Sequence, residues 1–491
     1  MNRETTAIAT ATSHYTNASR ERISGTVVLS PRTPARITLE TMSRTVIMNP
    51  MTGAVLLLLV WGASALAYTD LGNKVYQSNG SAVDTQAAIN AATDGYTVQI
   101  PNGVYSWSTQ VSLPGRAITL RGQSIGGVLI INNSSVDGVL NINKSTTGLV
   151  EVYGINFFPG TVDSAGASGT LHHVAVYGPG QPVLLHDCTM WSTAGALVYC
   201  VVWGDNGGVI WNCTFDSLGN FAGGIQFKNP QDDTWKTPSS MGASDSSGTL
   251  NTYVENCTFK TCYLGCTDFD DDTRVVVRYC LMQDSAHYSH GQDTSPWGAR
   301  HWELYANTYT YTASGNGLET VNGLKFAWTY PLPLQDWFTV RGGTGVIFNN
   351  SFSSIQFKNT DIQLNVYSIN RHSNNIPCQT RYPAPRQVGQ SWIGAGGYAY
   401  ANAPVDGSGY TTDPIYVWGN SGSGASDQSF ISFNQYTPDD CGNGQRIENY
   451  VQAGRDYITG TAKPGYRPYT YPHSLRRPQG PAAPQNLRIV K

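Results

Sequence analysis

The sequence predicts an all-β solenoid, a parallel β-helix with an N-terminal capping helix and an irregular C-terminal cap. The composition is the first indication: of 491 residues, 40% are hydrophobic and only 13% are charged. Such a chain is too apolar for disorder and too poor in charge for a coiled coil or a solvated helical bundle. The other two indications are a repeated motif and the short β runs with Asn/Gly turns that separate its copies.

Six segments share an aliphatic residue, a Cys or Asn three positions later, and an aromatic residue or Met two positions beyond that. They are LLHDCTM (184–190), VIWNCTF (209–215), YVENCTF (253–259), VVRYCLM (276–282), ELYANTY (303–309) and VIFNNSF (346–352). Their Cys or Asn positions are 25, 44, 23, 27 and 43 residues apart, which indicates a coil of 23–27 residues that long loops sometimes enlarge. This period, without helical patterns between the copies, favours a parallel β-helix over leucine-rich repeats.

Equivalent positions of successive coils stack at the strand spacing of about 4.8 Å. The repeat therefore predicts two internal ladders, one of Cys and Asn side chains and one of aliphatic side chains. We interpret both as packing positions without a chemical role. The ladders are Cys188, Cys213, Cys257, Cys280, Asn307 and Asn350, and Leu185, Ile210, Val254, Val277, Leu304 and Ile347.

The N-terminal region has the pattern of a secretory signal. An apolar run at 54–61, too short to span a bilayer, follows Arg44 and precedes small residues that end at Ala67. We expect 42–67 to be a signal peptide, and 1–41 to precede the natural start codon or to be disordered. The predicted location is therefore secreted, extracellular or periplasmic, and no later segment is apolar enough to cross a membrane.

After the signal, residues 84–95 predict a short helix with Asp84 as its N-cap and Gly95 at its end, which would close the open end of the solenoid. The expected organisation is a β-helix with this cap over 68–360, loop-rich C-terminal coils and cap over 361–475, and a flexible, basic, Pro-rich tail over 476–491. Nine cysteines in an exported chain allow disulfides, and Cys378 with Cys441 is the predicted pair.

The capping helix followed by Val98-Gln-Ile-Pro-Asn-Gly-Val-Tyr105 and the coil repeats resembles the pectate-lyase-like superfamily of proteins. The stretches 277–309, 340–352, 413–420 and 454–475 resemble a poorly characterised branch of secreted bacterial members. The resemblance implies a right-handed, single-stranded parallel β-helix and an extracellular polysaccharide as partner. It leaves the reaction open, because the superfamily includes lyases, hydrolases, esterases and non-catalytic adhesins.

One predicted strip lies two positions before each rung of the Cys/Asn ladder and should point outward. It contains His186, Trp211, Glu255, Arg278, Tyr305 and Phe348, with Glu255 and Arg278 close enough to pair. Aromatic and charged side chains of this kind suit an extended sugar chain, so Trp211, Glu255, Arg278 and Tyr305 are candidate substrate-binding residues. The alternative is a strip covered by the long loops at 229–252 or 312–336.

The second strand of each coil ends in a set of titratable side chains at comparable places: Lys228, Asp268, His290 and Arg341, with Arg300 and Glu303 nearby. Convergence of both charge signs on one solenoid face predicts a functional site; the alternative is an exposed, solvated network of ion pairs. Elimination from a polyuronate needs a base and positive charge near the carboxylate. His290 is the candidate base, and Arg341, Arg300 and Lys228 are the candidate cations. Asp270, Asp271 and Asp272 offer oxygen ligands for Ca²⁺, or form a solvated acidic run.

Two further functions stay open. A glycoside hydrolase would use two carboxylates, for which Asp271, Asp272 and Glu303 are candidates, although Ser289-His290-Gly291 stands where hydrolases of this fold have Gly-His-Gly. A non-catalytic protein would bind glycans or lie at the cell surface. The net charge of −3 gives no basic field for nucleic acid, and no cofactor other than Ca²⁺ is indicated. A monomer is the working expectation.

Overall fold

A computed structural model describes most of the chain from residue 68 onward. The described residues are 68–136, 138–160, 172–192, 199–219, 222–228, 242–291, 298–310, 316–321, 324–329, 337–352, 362–364, 388–392, 410–422, 431–433 and 451–476. All structural statements below concern these residues. The predicted signal peptide, residues 477–491 of the predicted tail and the predicted Cys378–Cys441 bridge lie outside them.

Each coil of the chain contributes strands to two large sheets, and almost all neighbouring strands are parallel. Sheet A has 13 strands, and only its first pair is antiparallel. Its strands, in spatial order, are Thr69–Asp70, Val75–Gln77, Thr97–Ile100, Thr119–Gly122, Val150–Tyr153, Val183–His186, Gly208–Trp211, Thr252–Glu255, Arg274–Arg278, His301–Tyr305, Thr344–Phe348, Ile415–Trp418 and Tyr457–Thr459.

Sheet B has 18 strands and forms two limbs, because two long strands, Thr258–Phe269 and Leu281–Ser289, run through both. The first limb also contains Gly103–Trp107, Val128–Asn132, Ile155–Pro159, Thr189–Trp191, Thr214–Asp216, Thr308–Thr310, Ser351–Phe352 and Ser421–Gly422. The second limb also contains Val111–Pro114, Leu140–Asn143, Val174–Tyr177, Val201–Gly204, Ala222–Lys228, Phe338–Val340, Ile362–Leu364 and Ile431–Phe433. The predicted right-handed parallel β-helix is confirmed.

The predicted N-terminal helix is present as Ala82–Ala91. Its N-cap is Ser81 and not the predicted Asp84. The Ser81 hydroxyl accepts a hydrogen bond from the backbone N–H of Asp84, and the Asp84 carboxylate accepts one from the backbone N–H of Asn79. The remaining elements are a 3₁₀ turn, Gly242–Ser244, and the antiparallel pairs Asn316–Val321 with Leu324–Thr329 and Gln390–Trp392 with Tyr410–Thr412.

Both predicted ladders are formed. The aliphatic residues pair directly from Leu185 through Ile210, Val254, Val277 and Leu304 to Ile347, all fully buried. In the polar ladder each Asn bonds the backbone of neighbouring coils: the Asn307 amide oxygen accepts from the Cys280 N–H at 2.9 Å, and its nitrogen donates to the Val277 carbonyl at 2.9 Å. Asn420 continues the same ladder beyond Asn350.

The ladder sits at the first corner, the turn from sheet A to the first limb of sheet B. From Asp187 to Gly419, one left-handed residue in each coil makes this turn, and the ladder residue follows it directly. These residues are Asp187, Asn212, Asn256, Tyr279, Ala306, Asn349 and Gly419, with φ between 52° and 65°. The buried side chain at the next position satisfies backbone groups that such a sharp turn leaves unpaired.

The solenoid extends further than the expected boundary at residue 360, because Ile415–Trp418 and Tyr457–Thr459 are its last strands in sheet A. After them, residues 460–476 run back along the outer face of sheet A; we call 463–476 the C-terminal strap. Within the described residues, no helix is long and apolar enough to cross a membrane.

Candidate functional site

The outer face of the second limb carries the titratable residues that the sequence predicts. Strand pairing aligns Phe227 with Phe269 and Phe269 with Ser289, so the outward positions that follow are Lys228, Asp270 and His290. Arg341 directly follows the next strand of this limb, Phe338–Val340. The carboxylate at the predicted register position is therefore Asp270 and not Asp268, because register shifts occur in both long pairings.

Asp268 nevertheless reaches His290 from two positions earlier on its own strand. Its Oδ1 lies 2.8 Å from Nδ1 of His290, whereas the nearest oxygen of Asp270 is 3.8 Å from the same nitrogen. The other oxygen of Asp268 accepts from the Tyr199 hydroxyl at 2.6 Å and from the Gln226 amide at 3.3 Å. Asp268 is fully buried, so these contacts hold its carboxylate in one orientation.

The two carboxyl groups differ in proton affinity. Burial alone would raise the pKa of Asp268, but the charge of the nearby His290 and the hydrogen bond from Tyr199 outweigh it, and its pKa lies below the ordinary value. Burial raises the pKa of Asp270 to about 7. The positive charges of His290 and Lys228 act to lower this pKa, and the negative charges of Asp271 and Asp268 act to raise it. Near neutrality Asp268 is ionised and Asp270 is partly protonated.

Arg341 forms the cationic part of the site together with a tyrosine that the sequence analysis did not select. Its guanidinium donates to the Tyr288 hydroxyl and lies 5.0 Å from the centre of that ring. The Tyr288 ring in turn meets His290 edge to face at 5.1 Å. Because the Nδ1 side of His290 faces Asp268, its Nε2 is the nitrogen available to a substrate, and 13% of the side chain is exposed.

Not all predicted catalytic residues join this site. Arg300 is buried at the third corner, the turn from the second limb back to sheet A, where its backbone N–H donates to Thr273 and its charge acts on Arg274. Glu303 lies on the outer face of sheet A, where it contacts His301 at 3.1 Å and accepts from the Tyr466 hydroxyl.

The strip on sheet A is formed in the predicted register, but it is closed. Glu255 and Arg278 pair as predicted, with Arg278 Nε 2.8 Å from Glu255 Oε1, and both side chains are fully buried. The C-terminal strap lies over them: Arg278 also donates to the Thr470 carbonyl, and Arg476 binds Glu255 at 3.0 Å. Among the described residues, the segment that covers this pair is the strap.

The aromatic members of the strip are buried with it. Tyr305 is 3% exposed and stacks on Phe348 at 4.6 Å, and its hydroxyl accepts from Arg278 at 2.7 Å. Trp211 is 2% exposed, with Arg476 over its ring at 5.8 Å. The prediction that Trp211, Glu255, Arg278 and Tyr305 form an open sugar-binding surface is wrong for this conformation, because the strap occupies the face.

The described residues bring no three His, Cys, Asp or Glu side chains into a metal-binding group, Asp270, Asp271 and Asp272 included. Asp271 and Asp272 instead make a tight turn, with φ of 44° and 60°. Two consecutive non-glycine residues in this region store backbone strain directly beside the site. This donor arrangement does not fit Ca²⁺, and no step of the chemistry below passes through a metal.

Comparison with known proteins gives likenesses in overall fold only. No family model matches the chain, and no curated protein matches its sequence. Among solved structures, an alginate lyase from Paenibacillus sp. str. FPU-7 is similar over 74% of this chain and 98% of that one, with 11% identity and a TM-score of 0.36. A family 6 polysaccharide lyase from Pseudopedobacter saltans is similar over 75% and 80%, with 12% identity and a TM-score of 0.36.

The pectin methylesterase PemA from Erwinia chrysanthemi is similar over 57% of this chain and 87% of its own, with 11% identity and a TM-score of 0.30. Values this low say nothing about reaction or substrate. The assignment of the fold stands on the strand pairing of this chain.

Proposed function

We propose that the protein is a secreted polysaccharide lyase that cleaves a uronate-containing glycan by β-elimination at the outer face of the second limb. The observation that carries the proposal is the 2.8 Å contact between Asp268 and His290 beside Arg341 and Tyr288. A buried, ionised carboxylate beside Nδ1 orients the imidazole, so Nε2 can act as a general base.

The reaction assigns one role to each group. Nε2 of His290 takes the proton on the carbon next to the uronate carboxylate, and Lys228 and Arg341 stabilise the enolate-like charge that develops. The electron pair then forms the ring double bond as the bond from the adjacent carbon to the glycosidic oxygen breaks. Tyr288 gives its proton to that oxygen, and Arg341 stabilises the phenolate. Proton exchange with water restores Tyr288 and His290.

The test is turnover of the full chain on a panel of acidic and neutral polysaccharides, with calcium or with chelator. Ultraviolet absorbance of unsaturated uronate and total reducing ends are followed together. A lyase raises both signals, and the comparison of calcium with chelator tests whether the activity needs a divalent cation. Reducing ends without absorbance would replace the lyase with a hydrolase. Silence in both channels from folded protein would leave a glycan-binding or structural protein.

A glycoside hydrolase is the second candidate, because the site holds two carboxyl groups of different proton affinity. Asp270, with its pKa of about 7, would be the acid, and ionised Asp268 the nucleophile. One oxygen of each carboxyl group lies within 3.8 Å of Nδ1 of His290, which limits the separation of the two groups. This favours the carboxyl separation of about 5–5.5 Å of retaining glycosidases over the wider separation of inverting ones. In this alternative Asp268 and Asp270 take the place of the carboxylates that the sequence indicated, Asp271, Asp272 and Glu303. Of these, Glu303 faces the strap.

A further inference from the structure

We propose that Tyr199 and Gln226 are positioning residues for the candidate base, His290. Both hold one oxygen of the Asp268 carboxylate, so that the other oxygen keeps the imidazole proton on Nδ1 and Nε2 stays unprotonated. The inference rests on the proposed function, because it gives a role to two side chains that the reaction scheme does not use. Three features of the structure support it: the hydrogen bonds of the carboxylate, its burial and the strand register.

The two oxygens of the Asp268 carboxylate have separate partners. Oδ2 accepts a hydrogen bond from the Tyr199 hydroxyl at 2.6 Å and one from the Gln226 side-chain amide at 3.3 Å. Oδ1 lies 2.8 Å from Nδ1 of His290. Rotation of the carboxylate about its Cβ–Cγ bond would break both hydrogen bonds of Oδ2. These bonds therefore determine which oxygen faces the imidazole, and a negative oxygen beside Nδ1 favours the proton on that nitrogen.

Burial increases the effect of each donor. Asp268 is 0% exposed and Tyr199 is 8% exposed, so loss of the hydroxyl would leave a buried, ionised oxygen short of a hydrogen bond. Burial and the charge of Asp268 raise the pKa of Tyr199 well above its ordinary value. The hydroxyl therefore keeps its proton at neutral pH and donates it to the carboxylate.

The strand register explains how the two donors reach the same oxygen. Gln226 pairs with Asp268 on the next strand of the second limb, and alternation along both strands directs these side chains outward. Tyr199 precedes the strand Val201–Gly204, which pairs with the other edge of Ala222–Lys228. The Tyr199 side chain thus connects the strand on one side of Ala222–Lys228 to the carboxylate on the other side.

Other titratable groups also face the Asp268–His290 pair. They are Asp270, whose nearest oxygen is 3.8 Å from Nδ1 of His290, the ring of Tyr288 at 5.1 Å, Arg341, whose charge acts on Asp268, and Lys228, whose charge acts on Asp270. The substitution Tyr199→Phe removes one hydroxyl and leaves all four of these groups in place. Its effect on the imidazole is therefore an effect of the hydrogen bond to Asp268.

The sign of that effect follows from the charge of the carboxylate. With one donor fewer, Asp268 binds a proton more readily, and while it is ionised it attracts the imidazolium form of His290 more strongly. Both changes reduce the fraction of molecules that have an ionised carboxylate beside a neutral imidazole at acidic pH. The acid limb of the pH profile of kcat/KM, which reports the free enzyme, should therefore move to higher pH.

The experiment compares Tyr199→Phe and Gln226→Met with the parent protein in two measurements. In the pH profile on acidic polysaccharide, Tyr199→Phe should move the acid limb upward by about half a pH unit to one pH unit and lower kcat about tenfold, with KM unchanged. Gln226→Met should act in the same direction but less, because its hydrogen bond is longer. In an NMR titration, with the His290 signal assigned from His290→Ala, the midpoint of the imidazole should also move to higher pH.

Tyr253→Phe is the matched control, because it removes a buried hydroxyl that donates to the Asp245 carboxylate at 3.2 Å on sheet A. It should leave the profile and the titration at their parent values. An unchanged limb and midpoint in Tyr199→Phe, or the same shifts in Tyr253→Phe, would overturn the positioning role. If Tyr199→Phe does not fold, the two measurements on Gln226→Met decide. A shifted midpoint in a protein without turnover would support the positioning role and overturn the proposed function.

Discussion

The outer face of sheet A and the outer face of the second limb present similar side chains, but among the described residues the first is covered by the strap, whereas the second keeps His290 partly exposed. On sheet A, Glu255 meets Arg278 beneath the strap and Arg476 of the strap itself. On the second limb, Asp268 meets His290, whose side chain remains 13% exposed. Paired charges that are fully covered serve to hold the strap, whereas a carboxylate that orients a partly exposed imidazole is suited to chemistry.

The comparison shows that chemical composition does not separate a structural network from a reactive one. Both faces combine carboxylates, arginines, tyrosines and a histidine at coil spacing. The two faces differ in the groups to which their side chains donate hydrogen bonds. Arg278 donates to Glu255, to Tyr305 and to the strap backbone. A substitution on one face is therefore expected to change turnover or stability there and to leave the other face unaffected.

The largest expected effect is on turnover at the second limb. His290→Ala should lower kcat by about 10²–10⁴-fold, because it removes the general base, and should leave the melting temperature near that of the parent. His473→Gln, which alters a buried histidine of the strap, should keep turnover per folded molecule. Full activity in His290→Ala would remove His290 as the base.

The next effect is on stability at sheet A. Glu255→Ala leaves Arg278 and Arg476 without their buried carboxylate and should cost about 3–5 kcal/mol in the free energy of unfolding. Denaturant titration measures the loss, and kcat at low temperature should remain at the parent value. A large fall in kcat of the folded variant would show that the strap network supports the reactive face.

A smaller effect concerns pH. The folded pKa of Asp270, about 7, lies above its unfolded value of about 3.9, so the folded state holds an extra proton and loses stability as pH rises from about 4 to 7. Asp270→Asn should remove on the order of 1–3 kcal/mol of this dependence. Asp268 and Glu303 have lowered pKa values, so their stabilisation is present at neutral pH and is lost as pH falls through those values. Parallel stability profiles of parent and Asp270→Asn would contradict the assignment.

The smallest effect is at the first corner. Ala306 turns its coil with φ of 55°, a conformation that glycine adopts without strain, so Ala306→Gly should gain about 0.5–1 kcal/mol. Gly419→Ala reverses the change at an equivalent turn and adds a Cβ 2.5 Å from the Asn349 amide oxygen, so it should lose stability. Shifts of opposite sign in the denaturant midpoint would support the strain; a loss in both variants would show that the Ala306 methyl group contributes more by packing.

The sequence predicts the solenoid and its ladders because they depend on a period that is visible in the chain. The same period predicts the Glu255–Arg278 pair, which needs only neighbouring rungs. It does not predict the strap: Arg278 and Thr470 are separated by 192 positions, and their contact belongs to no repeat. Long-range contacts of irregular segments leave no periodic signal.

The sequence predicts the residue types of the candidate site, but it does not predict the register of Asp268. Long strands such as Thr258–Phe269 contain a shift between Cys262 and Thr267, which moves Asp268 off the rung assigned to it. Tyr199 and Tyr288 were missed for different reasons. Tyr199 precedes its strand and belongs to no motif, whereas Tyr288 stands two positions before His290, and strand alternation alone places both side chains on one face.

The first corner also governs where this fold can vary. From Val183–His186 onward, every strand of sheet A up to Ile415–Trp418 is followed by two residues and then by a strand of the first limb. By contrast, the third corner ranges from three residues after Gly204 to the long segment between Leu364 and Ile415. The first corner therefore keeps a constant length, so insertions at the other two corners leave the stacking of the coils intact. New recognition loops could therefore be grafted after the second limb, beside His290, without redesign of the scaffold.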